Sequence, residues 1–499
     1  MSVQRRALLS AAALSVVLSL GAASAASADS LLDAVALAYQ TNPDLQAQRA
    51  NQRAIDEEYV QAKAGYRPTL SVAATGTVID GASGVKGLGD IHSNSSSIGL
   101  TASQTIWSGG RIATAVDAAQ ADILQGRETL RSVESQILTS VIQSYVDVRR
   151  DTEALRINRE NVAILQRQLE QAQAQFDVGE ITRTDVAQAQ ARLAAARAQS
   201  EAAGAQLSVS RAAYASVVGQ TPTAELDPEP ALPGVPASFD AAMDVANVDN
   251  PSLRAAQYAE QATKARVAQA RAAYLPNVSV SANYGSTITP TNGLSFANRD
   301  AVSATATLQV PLFTGGLTGS RVRQALERDN AASIGIDGAR RQVLQSVSQA
   351  WARVLSTRAS QASNEEQVKA DTIAAEGVRQ EYQVGLRTTI DVLNAEQELR
   401  DAQLALVNSR HDNYVATAQL LAAMGRLEAR ELVNSVPVYD PKKNFDRVRN
   451  KGSIFVDRLI EGLDQVGKPS GANRTVKASA PIDEQAKAKG DAAPLPTKP

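Results

Sequence analysis

Cysteine is absent from all 499 residues, which excludes disulfides, thiolate metal sites and lipidation at an N-terminal cysteine. Histidine is nearly as scarce: His92 and His411 are the only two, and they lack ligand spacing. Aromatics make up 4% of the chain, too few to fill several conventional cores. A formal net charge of −2 provides no basic field for nucleic acid, so no nucleic-acid partner is expected. Beyond residue 28 no apolar run approaches the ~20 residues of a spanning helix, so any membrane crossing must be a β-barrel. No catalytic constellation, cofactor cradle or metal cluster is visible. Gly84, Gly87 and Gly89 lie between predicted strands rather than ahead of a helix, which makes them a loop and not a phosphate-binding turn. An enzyme is not expected.

What the chain does have begins with a secretory signal over 1–28. Arg5 and Arg6 form its basic start, 7–20 its apolar stretch, and Ala26-Ser27-Ala28 its cleavage site. A twin-arginine export signal, resting on the Arg pair alone, is the alternative. The rest is one design written twice. Phe176-Asp177-Val178-Gly179, followed by Thr184-Asp185-Val186, returns as Tyr382-Gln383-Val384-Gly385 with Ile390-Asp391-Val392, offset by 206 (382 − 176). Asn42-Pro43 returns as Asn250-Pro251, Tyr66-x-Pro68 as Tyr274-x-Pro276, and Gly109-Gly110 as Gly315-Gly316. The halves are 29–220 and 238–426, joined by a Pro-rich linker over 221–237.

Each half opens with a helix, predicted over 31–65 and 239–274, that ends at Tyr-x-Pro because proline disfavours helix in the residue before it. The period then changes to two. Strands are predicted over 68–79 and 97–108, and over 276–289 and 301–313, each of about ten residues with one apolar and one Ser/Thr face, as in a transmembrane barrel. A soluble sandwich also alternates, but it needs larger core residues. Tyr66, Trp107, Tyr274 and Phe313 fall at the helix-side strand ends, where an interfacial aromatic girdle belongs. The Gly/Ser/Asn-rich stretches 80–96 and 290–299 read as external loops. Four strands cannot close a barrel, because the smallest have about eight, so the chain must oligomerise.

Long helices follow at 110–176 and 317–382, roughly 100 Å each at 1.5 Å per residue. The stripe Ile137, Val141, Tyr145, Val148 is repeated as Val343, Val347, Trp351, Val354. Returning helices are predicted over 183–219 and 388–424. A segment at 427–467 and a disordered tail at 468–499 complete the chain. At the turns between long and returning helices, Asp185 and Asp391 can either cap the returning helix or serve a functional contact.

Taken together, the signal, the duplicated plan, Tyr-x-Pro, Gly-Gly, and Val384-Gly385-Leu386 with Thr388-x-x-Asp391-Val392 resemble the TolC family of outer-membrane channel-tunnels over about 29–435. The resemblance implies a mainly α fold: a homotrimeric twelve-stranded β-barrel in the outer membrane of a Gram-negative bacterium, continued by a periplasmic α-helical barrel. It implies as partners a periplasmic adaptor and an inner-membrane ABC or proton-driven transporter, with protein or drug cargo and outer-membrane lipid. It implies no cofactor. By matching position, Val178, Gly179 and Glu180 with Val384, Gly385 and Leu386 are the adaptor-contacting tips, Glu180 departing from the family's Leu. Thr184, Asp185, Tyr382 and Arg387 match the links that close the mouth, with Tyr382 expected to donate to Asp185 and Arg387 to Thr184. The mouth's acidic ring matches Asp391, but its second Asp is Asn394 here. Type I protein secretion is the leading function, multidrug efflux the runner-up. A soluble periplasmic coiled-coil scaffold would fit the helices alone, and a general porin the strands alone.

Overall fold

The pairing of β2 with β3 joins the two halves at the centre of one four-stranded antiparallel sheet, ordered β1-β2-β3-β4. The strands are β1 Thr69–Gly81, β2 Ile91–Trp107, β3 Asn277–Thr291 and β4 Leu294–Gln309. In the computed structural model the described residues are 30–81, 91–222, 225–291, 294–433 and 437–471. The predicted signal over 1–28 and the tail beyond 471 lie outside them.

Near the middle of the sheet, register keeps apolar and polar residues in separate rows. Val72, Leu100, Tyr284 and Val302 are successive cross-strand partners, as are Ser71, Thr101, Asn283 and Ser303 on the other face. Thr101 donates to Asn283 Oδ1 at 2.8 Å. The strands have 13 to 17 residues and not about ten. They run into the stretches predicted as loops, because a ladder needs only backbone groups and tolerates Ser, Asn and Thr on both faces. At the other end β4 stops at Gln309 rather than 313. Pro311 has no N–H to give the ladder, so Val310 and Leu312 fall beyond the strand. A bulge between Thr105 and Trp107 turns Ile106 onto Tyr66, Ile112 and Val116.

The helical part also repeats. In the first half α1 Leu31–Thr41 and α2 Pro43–Ala64 precede the strands, and α3 Arg111–Asp177 and α4 Arg183–Val218 follow. The second half supplies α5 Phe239–Asp249, α6 Pro251–Ala272, α7 Leu317–Gln383 and α8 Thr389–Met424. The helical stretches predicted over 31–65 and 239–274 are each interrupted at Asn-Pro, as proline near their starts leads one to expect. Asn42 accepts from the amides of Asp44 and Leu45, starting α2, while its Nδ2 donates to Val217 O in the last turn of α4. Asn250 does the same between α6 and Ala423 of α8. Each asparagine thus ties the end of a returning helix to the start of another, and each such joint lies beside a 67-residue helix.

The sequence stripes form the two main cores. Val141, Tyr145 and Val148 pack with Val35 and Ala38 of α1 and Tyr214 of α4. Val347, Trp351 and Val354 pack with Ala242 of α5 and Leu420 of α8. After α8, Leu427, Ala429 and Val433 join the first core. The chain then climbs along α2 through α10 Pro441–Val448, after the single turn α9 Ala429–Leu432, and reaches the sheet with α11 Asp457–Gln465. Lys468 to Gly471, predicted as the start of a disordered tail, instead crosses from α3 to α6. Lys468 pairs with Asp117, and Arg271 donates to Ser470 O.

Candidate functional site

The two hairpins lie at the far end of the long helices, about 100 Å from the sheet at 1.5 Å per residue. Both end in the same turn. Gly179 and Gly385 take φ of 81° and 79°, and amides just past each helix close back on it: Glu180 N on Gln175 O and Leu386 N on Glu381 O, both at 2.9 Å. Such a left-handed closure is open to glycine at no steric cost. It leaves Val178, Val384 and Leu386 exposed at the tips.

Asp185 and Asp391 then restart the chain in identical capping boxes. Asp185 accepts from the Thr182 amide at 2.9 Å and hydroxyl at 2.7 Å; Asp391 accepts from Thr388 at 3.0 and 2.8 Å. The Thr182 hydroxyl holds the Asp185 carboxyl below its ordinary range, and the Thr388 amide does so for Asp391. The expected links within the chain are therefore not the ones formed. With Asp185 engaged by Thr182, Tyr382 donates to Gln175 Oε1 at 2.6 Å. Arg387 donates to Glu381 at 2.7 Å within its own hairpin instead of to Thr184, which is exposed.

Besides Tyr382–Gln175, the hairpins are joined by Arg, Gln and Asn contacts that the sequence did not single out. Arg192 of α4 reaches Gln397 and Asn394 of α8, the latter at 3.2 Å, and Arg400 of α8 reaches Gln199 of α4. Leu393 is buried among Leu165, Leu169 and Leu193 of the first hairpin. A cleft of about 450 Å³ lies beside Tyr382, lined also by Arg167, Gln171 and Arg379. Repetitive Ala/Gln/Arg sequence carries no signal for which of many glutamines meets which arginine. Asn394, expected as the weakened half of an acidic ring, accepts from Arg192 through its neutral amide oxygen.

Midway along the rods His411 of α8 sits against α3, its Nε2 2.9 Å from Asp147 and its Nδ1 3.0 Å from Asp412. Burial opposes its charge, but the two carboxylates outweigh that and hold its pKa above 6.5.

At the sheet end the four predicted girdle aromatics part company. Tyr66 is 2% exposed, packed against Ile112, Val116 and Ile460 of α11. Trp107 is half-buried and donates to Val466 O at 3.2 Å. The C-terminal segment buries Tyr66, which takes it out of the predicted girdle, and only partly covers Trp107; Tyr274 and Phe313 stay exposed. The anchor of that segment is Asp464, fully buried, accepting from Ser108 N at 2.7 Å, Ser108 Oγ at 2.8 Å, Ala113 N at 3.1 Å and Gly110 N at 3.2 Å. It caps α3 from another element. Its sequence signal is only the spacing Val456, Ile460, Asp464 on one face of a short helix.

Among the described residues no helix is long and apolar enough to cross a membrane. The chain matches the outer membrane efflux protein family over residues 34–220 and 242–426, one match per repeat. It is 34% identical over 427 residues to the outer membrane efflux protein BepC of Brucella suis, spanning 86% of this chain and 92% of that one. It is 29% identical to the alkaline protease secretion protein AprF of Pseudomonas aeruginosa, over 62% of this chain and 66% of that one. Among solved structures, a membrane protein of Pseudomonas aeruginosa superposes with a TM-score of 0.71 at 21% identity, over 82% of this chain and 92% of that one. The duplicated match and the shared plan of sheet and paired rods identify the chain as a member of the outer membrane efflux protein family, the TolC-like channels.

Proposed function

We propose that the chain is the outer-membrane exit duct of a tripartite export machine, working as a homotrimer with a periplasmic adaptor and an inner-membrane transporter. The observation that carries this is the unclosed sheet. Strands β1 and β4 each have one unpaired edge, and the apolar row Val72, Leu100, Tyr284, Val302 is exposed. Unpaired edges of this length require a partner strand, and three copies supply a twelve-stranded closed barrel of the kind that spans an outer membrane. The rods then extend into the periplasm, and the hairpin tips Val178–Glu180 and Val384–Leu386 face the adaptor. The duct is passive, energy coming from the transporter.

The hairpin end is the constriction. The Arg192–Asn394 and Tyr382–Gln175 contacts hold the two hairpins together, and hydrogen bonds of about 0.5–3 kcal/mol each suffice to bias a two-state mouth. Thr184 and Arg387, exposed on this end, are available to a neighbouring copy. Asp391 contributes one carboxylate per chain, and three per trimer, to the mouth.

Type I protein secretion is the cargo route we propose, supported by the likeness to a protein named for protease secretion. Efflux of small molecules is the second reading, favoured by the likeness to a protein named for efflux. A deletion strain separates them. Loss of an extracellular protein with unchanged drug sensitivity supports secretion, and the converse supports efflux. Recovery of the chain as a soluble periplasmic monomer would sink the duct altogether.

A further inference from the structure

The three most exposed large apolar side chains among the described residues are Phe455 at 94%, Leu312 at 92% and Phe313 at 90%. All three sit at the helix-side end of the sheet, and they sit at its two opposite edges. Leu312 and Phe313 directly follow β4. Phe455 precedes α11, whose first residue, Asp457, pairs with Arg67 at 3.2 Å beside the start of β1. From there α11 runs across the hairpin base to Ser108 at the end of β2, with Ile460 buried under it and Leu459 and Leu463 turned outward. So the base of the first repeat is covered by this helix, while the corresponding surface of the second repeat, with Tyr274, Leu312 and Phe313, is bare.

We infer that α11 is an intersubunit clasp: Phe455 and Leu459 of one copy cover Leu312 and Phe313 of the next. The inference rests on the reading that β1 of one copy pairs with β4 of another. That pairing brings the two edges together, and with them the two bare apolar surfaces that flank them at the helix-side end of the sheet. The occupant is thus a second copy of this chain, and Phe313 faces protein where a girdle residue would face lipid. Fixing α11 through Asp464 to the start of α3 makes the clasp rigid, so each copy presents a preformed ledge to its neighbour. An exposed apolar surface at a ring-closing edge is what such an interface requires.

The absence of native cysteine makes the test direct. Full-length chains carrying Phe455→Cys with Phe313→Cys are oxidised in outer-membrane preparations with copper phenanthroline and run on denaturing gels. Covalent dimers and a closed covalent trimer, absent from either single variant, are expected. A second set pairs Val72→Cys in β1 with Val302→Cys, Ala304→Cys or Ala306→Cys in β4. If the strand cysteines link copies and the 455/313 pair does not, the clasp is overturned and the barrel reading stands. If neither set links copies, the barrel reading falls and the clasp with it. A fluorophore on Phe455→Cys adds a second readout: quenching by brominated lipid would assign this surface to the membrane and overturn the inference. As a variant that disturbs no buried group, Phe455→Glu is expected to lower the temperature at which the trimer dissociates while leaving the monomer's helix content unchanged.

Discussion

At residue scale, Asp391 serves two ends at once: it caps α8 and lends the hairpin a negative charge. Asn at this position keeps an oxygen for the Thr388 amide and hydroxyl and loses only the charge. In the proposed trimeric duct, Asp391→Asn is therefore expected to reduce cation preference in planar bilayers, with little change in thermal dissociation. An unchanged preference would locate the ring elsewhere. Because Asp185 and Asp391 titrate below the ordinary 3.8 in the folded hairpins, their boxes stabilise above that value and fail only as pH drops through the lower folded one. Conductance at mildly acidic pH should not report on them. His411 has the opposite sign. Its folded-state pKa lies above the unfolded value of 6.5, so its contribution is complete below 6.5 and is lost as pH rises through the folded value. His411→Gln should flatten the dependence of melting temperature on pH across that window. If wild type and variant respond identically, the Asp147 and Asp412 contacts carry no charge-dependent stability.

At the scale of elements, the Asn-Pro joints and Gly-closed helix ends explain why two short helices can extend a returning one. Gly219 and Gly425 both close returning helices in the left-handed region, with φ of 88° and 78°. They differ in their surroundings. A Cβ on Gly425 would fall 2.5 Å from Asp249 O, whereas on Gly219 the nearest atom is Thr41 Oγ1 at 3.6 Å. Alanine at 219 should cost about the 1–2 kcal/mol of the left-handed backbone alone, and alanine at 425 clearly more. Denaturation of the two variants checks the order. Helices, strands and the duplication were legible because each is written in a period or a punctuation mark that local chemistry enforces: the Ile137–Val148 stripe, Tyr-x-Pro, Gly-Gly. Strand ends were less so, since Ser/Asn-rich sequence is compatible with ladder and loop alike; Asn94, Ser95 and Ser96 extend β2 where a loop was expected. The hairpin positions and the capping of the returning helices by Asp185 and Asp391 were legible, and the pairings between the hairpins were not. Asp185 finds Thr182 three residues away before it can find Tyr382, and the partner of Tyr382 is one glutamine among many.

For the whole molecule, the C-terminal segment is the part least visible in sequence, because it has no counterpart in the other repeat and its contacts span the chain from Arg67 to Asp457. It breaks the symmetry of the duplication at the base of the sheet. The sheet itself has a genetic consequence. In the proposed trimer each copy gives one edge and receives another, a head-to-tail arrangement in which a ring closes only if all its members can do both. A chain with proline in the middle of β1 loses that edge but still offers β4, so it can enter a ring and stop it closing. Expressed equally with wild type, random mixing leaves only about one ring in eight free of the defective chain. Such an allele should behave as a dominant poison in a strain that still carries the intact gene, read as loss of heat-modifiable trimer well beyond half.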